Sequence, residues 1–86
     1  MDSTRIEKEL IELIGSFESK LPPGKAESFC EFVRAREWGI AFECLCSDLA
    51  EYDIPVDTTR LNTIKRLGVM MGIGSDYWEP LVEDFG

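Results

Sequence analysis

Between Glu37 and Pro55 the chain reads EWGIAFECLCSDLAEYDIP, and no other stretch restricts the possible folds so closely. At about 100° per residue, Trp38, Ala41, Phe42, Leu45, Leu49 and Tyr52 share one helical face about 120° wide. Glu43, Ser47 and Glu51 fall on the opposite side, flanked by Ile40, Cys44 and Asp48. The spacing predicts a helix that builds a core with one face, presents carboxylates interrupted by apolar side chains with the other, and is stopped by Pro55. Such a surface suits binding better than catalysis.

The rest of the chain is helical in pattern. Thr4 and Glu7 have capping-box spacing ahead of an apolar stripe of Ile6, Leu10, Leu13, Ile14 and Phe17. That helix is expected to end near Ser19, because Leu21-Pro22-Pro23-Gly24 cannot continue it. A second helix is predicted from Lys25 to Arg36, burying Ala26, Phe29, Phe32 and Val33, with Gly39 near a break before the third. Asp57 is placed to cap a fourth, whose core face is Leu61, Ile64, Leu67, Gly68 and Met71 and which Gly72-Ile73-Gly74 ends. Ser75 or Asp76 starts a short last helix in this reading, and Tyr77 and Trp78 either close the core as a lid or form an exposed aromatic grip. No strand-period alternation competes. The expected fold is all-α, a single domain over residues 1–86, as a compact bundle of four helices plus a short C-terminal helix.

Charge narrows the choice of partner. Seventeen acids against nine bases leave −8 on 86 residues, which disfavours nucleic acid and anionic membranes and favours a basic protein surface. A soluble surface alone would need some of the same carboxylates. No apolar run has the length of a membrane span, MDSTRIEKEL has no signal-peptide hydrophobic region, and the three cysteines are odd in number. Together these point to a reduced, cytoplasmic protein.

Chemistry is sparse. Histidine is absent, which removes the commonest general base and metal ligand. Cys44 and Cys46 stand about 200° apart on a helix and no CxxC pair exists, so Cys30, Cys44 and Cys46 read as small core or half-buried residues. The carboxylates Asp48, Glu51, Asp53 and Asp57 lack the rhythm and turn glycine of a calcium loop. Gly68, Gly72 and Gly74 follow no strand and precede no Lys-Ser/Thr pair, so they make no phosphate loop. Neither an enzyme nor a cofactor or metal site is expected.

The central segment also resembles a family. Small immunity proteins of the Maf type, which protect bacteria from their own polymorphic toxins, carry a similar EWG-(I/L)-A-F/L-E-x-L-C-x-x-L-x-E-Y/F-D-I/V-P stretch. It is matched here by Glu37, Trp38, Gly39, Ala41, Phe42, Glu43, Leu45, Cys46, Leu49, Glu51, Tyr52, Asp53, Ile54 and Pro55. Phe32–Ala35, Ile64–Gly72, Tyr77–Trp78 and Leu81 agree more loosely. The resemblance implies a monomer that binds and neutralises one cognate toxin, a nuclease being the expected activity because an acidic inhibitor suits a basic nucleic-acid cleft. Trp38 is then a core anchor.

The candidate partner-binding residues are Ile40, Glu43, Cys44, Ser47, Asp48, Glu51, Asp53 and Asp57. The acids would meet Lys and Arg of the toxin, while Ile40 and Cys44 would supply apolar anchors. Each acid read alone is equally a solvated helix face, with Asp57 a cap; Ile40 and Cys44 could instead pack on a neighbouring helix. Arg34, Arg36, Arg60, Lys65 and Arg66 are expected to be local charge partners. The alternative of another class is a small acidic helical adaptor or regulatory subunit unrelated to toxins, which gene context would separate from an immunity protein.

Overall fold

The computed structural model describes residues 3–81. Helices α1 (Ser3–Ser16), α2 (Lys25–Arg34), α3 (Trp38–Glu51) and α4 (Thr58–Met70) are followed by a 3-10 turn at Ser75–Tyr77, and the chain is helical again at residues 79–81. The class is all-α, with no strand among the described residues. None of the described helices is long and apolar enough to cross a membrane.

The narrow apolar stripe of α1 does what its spacing predicts: Ile6, Leu10, Leu13 and Ile14 are buried, and so is Phe17 in the turn just past the helix. From α2 come Ala26, Phe29 and Val33, and from α4 Ile64, Leu67 and Gly68. The most deeply set element is α3, which buries Ala41, Phe42, Leu45, Cys46, Asp48 and Leu49 against α2, α1 and the 3-10 turn. All the buried apolar side chains join in one cluster. Trp78 closes it as a lid. Its indole lies over Gly68 and meets Phe42 edge-on, with ring centroids 5.9 Å apart and an interplanar angle of 83°.

Three helices end in the same way. Beyond α2 the Glu37 N–H donates to the Phe32 carbonyl (2.8 Å) and the Arg36 N–H to that of Val33 (3.0 Å). Beyond α3 the Ile54 N–H donates to Leu49 (3.0 Å) and that of Asp53 to Ala50 (3.3 Å). Beyond α4 the Ile73 N–H donates to Gly68 (2.9 Å) and that of Gly72 to Val69 (3.1 Å). This paired pattern requires a left-handed residue. Gly72 (φ 71°) fills it after α4, but Arg36 (φ 65°) and Asp53 (φ 51°) fill it after α2 and α3.

Asp57 caps α4 as expected, its Oδ1 accepting from the Arg60 N–H at 2.8 Å. Arginines stitch α4 to α1: Arg60 Nε donates to Ser16 Oγ (2.9 Å), its guanidinium lies 5.3 Å from the Phe17 ring centroid, and Arg66 pairs with Glu9 at 2.5 Å.

Several expectations need correction. Helix α1 stops at Ser16, not Ser19, and Thr4 lies inside it. The break before α3 is at Arg36, and Gly39 belongs to the first turn of α3. Phe32 is 37% exposed, because it sits at the margin of the face formed by Ala26, Phe29 and Val33. Tyr52, the C-cap of α3, is 47% exposed rather than core, although its N–H still donates to the Asp48 carbonyl at 3.0 Å. Leu61 and Met71 are half-buried rather than core, and Trp38 is only partly an anchor, packing half-buried against the cluster.

Candidate functional site

Because α3 is covered on so many sides, little of it reaches solvent. What does is a strip formed by Ile40 (43% exposed), Ser47 and Glu51, with Glu43 and Cys44 half-buried beside them. At 1.5 Å per residue the strip from Ile40 to Glu51 runs about 16 Å. Neither Glu43 nor Glu51 makes an ion pair among the described residues. The helix also has no basic residue in its last turn, so Glu51 faces the negative end of the helix dipole uncompensated. Asp53 follows in the exposed left-handed turn.

Asp48 does not join this strip. It is 8% exposed, and its Oδ2 lies 3.6 Å from Lys25 Nζ at the start of α2, with no hydrogen-bond partner of its own. A helical projection put it beside the outer face, but the N-terminal end of α2 covers that flank of α3, and the carboxylate serves an internal ion pair. Asp57 is exposed but belongs elsewhere. Paired with Arg60, it lines a groove of about 500 Å³ between α1 and α4 with Glu9, Glu12, Ser16 and Thr63. The structure thus brings together Ile40, Glu43, Cys44, Ser47 and Glu51, with Asp53 at the strip's end, and removes Asp48 and Asp57 from it.

Titration differs sharply between sites. Arg66 beside Glu9 holds that carboxyl below its ordinary value of 4.5, against the opposing effect of burial. Burial, with Glu43 nearby, pushes the Cys46 thiol up to about 12, and burial also raises Cys30. Cys46 is therefore a neutral core thiol at physiological pH. Among the described residues no group of three or more Cys, Asp or Glu side chains converges as a metal site would require.

One feature escaped sequence reasoning. At the start of α3 a notch of about 290 Å³ is lined by Ile6, Arg36, Trp38, Gly39 and Met71. The Trp38 indole N–H is buried with no acceptor. The EWG spacing places Trp38 and Gly39 together, but nothing in it signals that Ile6 and Met71 close around them from distant parts of the chain. In comparison with known proteins the chain matches no family model, no curated protein and no solved structure.

Proposed function

We propose that this chain is a cytoplasmic immunity protein of the Maf type, which binds a cognate toxin one-to-one through the outer strip of α3. The observation that carries this is the strip itself: exposed Ile40 beside Glu43 at one end and Glu51 at the other, two carboxylates with no ion pair among the described residues. The resemblance of Glu37–Pro55 to that family supplies the class of partner. Stability alone gives no reason to place Glu51 at the negative end of a helix.

The acids would steer a basic toxin surface into contact and raise the association rate at low salt, while Ile40 and Cys44, once desolvated, would lengthen the complex's life. A nuclease is the expected toxin, blocked where it would otherwise hold phosphates.

Co-expression with the product of the gene immediately upstream tests the class: that product should kill alone, and this protein should rescue growth and co-purify with it. A harmless neighbour that does not co-purify sinks the immunity reading and leaves the adaptor. Glu43→Lys with Glu51→Lys tests the surface. The double variant should still fold, because Glu51→Lys places a base in the last turn of α3, favoured by about 0.3–1 kcal/mol, and Glu43 has no ion pair to lose among the described residues. It should nonetheless bind the toxin more weakly and with a flatter salt dependence. Unchanged binding would move the interface off α3.

A further inference from the structure

We propose that the notch at the start of α3 is a second docking point, which takes one apolar side chain of a partner protein together with an adjacent carboxylate. Its preference is opposite in sign to that of the α3 strip, and it stands independently of the toxin reading. The walls are apolar: Ile6 is buried, Trp38 and Met71 are half-buried, and nothing lies within 4 Å of where a Cβ on Gly39 would be. A space of about 290 Å³ lies at the lower edge of small-molecule pockets, which suits a single side chain.

Charge complementarity identifies the rest of the occupant. Arg36 is the one charged residue of the lining. Its side chain has no ion pair or hydrogen bond among the described residues, as is also true of Lys8, Lys20, Arg34 and Lys65; what sets Arg36 apart is its place beside an apolar notch. Glu37 follows it in sequence and is exposed, but forms no ion pair with it. Arg36 also occupies a left-handed position that α4 gives to Gly72, so the turn itself does not call for arginine. The N–H of Trp38, a wall residue of the same notch, is buried without an acceptor. A carboxylate held by Arg36, with its apolar neighbour on Ile6, Trp38 and Met71, would match both the charge and the apolar walls of the notch.

The probe is 3-phenylpropionate, with 3-phenylpropanol as its uncharged counterpart, titrated into the ¹⁵N-labelled protein. Trp38 and Trp78 give only two indole N–H resonances, and Trp38→Phe assigns them. The acid should shift the Trp38 resonance saturably at millimolar concentration and leave Trp78 unmoved. The alcohol should bind about tenfold more weakly, as should the acid to Arg36→Gly, through loss of a charge-assisted contact. Arg36→Gly suits the left-handed backbone, so misfolding does not confuse the result, and Glu43→Lys/Glu51→Lys should leave this titration unchanged. Equal binding of acid and alcohol, or no effect of Arg36→Gly, would overturn the proposal. Saturation at micromolar concentration would instead mark a small-molecule site. A concentration-dependent shift of the Trp38 resonance without probe, with doubling of the mass in solution, would assign the notch to a second copy of this chain.

Discussion

Replacing Gly68 by Ala pits two effects of known size against each other. In a helix interior the change should stabilise by about 1 kcal/mol, since alanine loses less backbone entropy on folding. Here the added Cβ would stand 2.1 Å from Trp78 Cζ3, 2.6 Å from Cη2 and 2.9 Å from Cε3, where ordinary carbon contacts need about 3.5–4.0 Å. The ring must therefore retreat by more than an ångström. Moderate overpacking costs about 1–3 kcal/mol; displacing a buried tryptophan approaches the roughly 3–5 kcal/mol of deleting one, and includes the edge-on contact with Phe42. A shift this large belongs nearer the second case, so the net expectation is a loss of about 2–4 kcal/mol. For a domain of this size that lowers the melting temperature by about 8 °C or more.

Urea and thermal unfolding, followed by far-ultraviolet circular dichroism and by tryptophan fluorescence, measure it. Gly15→Ala is the control: the same chemical change in α1, with nothing within 4 Å, should be neutral to stabilising by up to about 1 kcal/mol. In a Trp78→Leu background Gly68→Ala should lose most of its penalty, because the clash is with that ring. A Gly68→Ala protein as stable as the parent, or one equally destabilised with and without Trp78, would refute the lid geometry.

Asp53→Gly should stabilise by about 0.5–1 kcal/mol, by relieving a left-handed non-glycine residue and removing a negative charge from a helix C-terminus, less the entropy glycine adds to the unfolded chain. The urea midpoint reads this directly, and a fall would mean that the carboxylate makes a stabilising contact. The Glu9–Arg66 pair predicts a pH effect. Because the folded carboxyl titrates below its ordinary 4.5, the unfolded state takes up the proton first as pH falls, so the pair's contribution is complete above that value and lost as pH drops through the folded pKa. Glu9→Gln should thus be less stable than the parent at neutral pH, with a shallower acid limb in unfolding free energy against pH; parallel curves would show that the pair does not link α1 to α4 energetically.

Legibility of the sequence followed how each element is packed. The stripe of α1 is buried as its spacing implies, since one side of that helix faces inward. The Asp57 cap was readable because an N-cap is a local interaction between residues three apart. For α3 the same projection fails at its edges, because it treats a helix as having one inside. Three elements pack on α3, so Asp48 is buried and pairs with the partly exposed Lys25, although its angle placed it outward. Tyr52 fails in the other direction, exposed at the C-cap of α3 although its angle placed it inward. Ile54 and Val56, both buried in the connection to α4, have no period to betray them. The notch assembles Ile6, Arg36 and Met71 from three separate regions, which no local pattern encodes.

The charges bracketing α3 bear on how a partner would lie. A helix dipole is positive at its N-terminus and negative at its C-terminus, and stability favours charges that oppose it. Here Arg36 stands just before α3, while Glu51 closes it and Asp53 follows, with no acid in the first turn and no base in the last. These charges reinforce the dipole; Glu37 alone, at the N-cap, opposes it without capping through its side chain. The arrangement forgoes a few tenths of a kcal/mol at each end and leaves α3 polarised along its length. On the two proposals made above, a partner gains from both ends at once only in one orientation, its carboxylate at Arg36 and its basic residues about 20 Å away at Glu51 and Asp53. The reverse orientation sets like charges against each other at both ends. Such a device selects direction as well as partner, and it would explain why two left-handed positions that suit glycine hold charged residues of opposite sign.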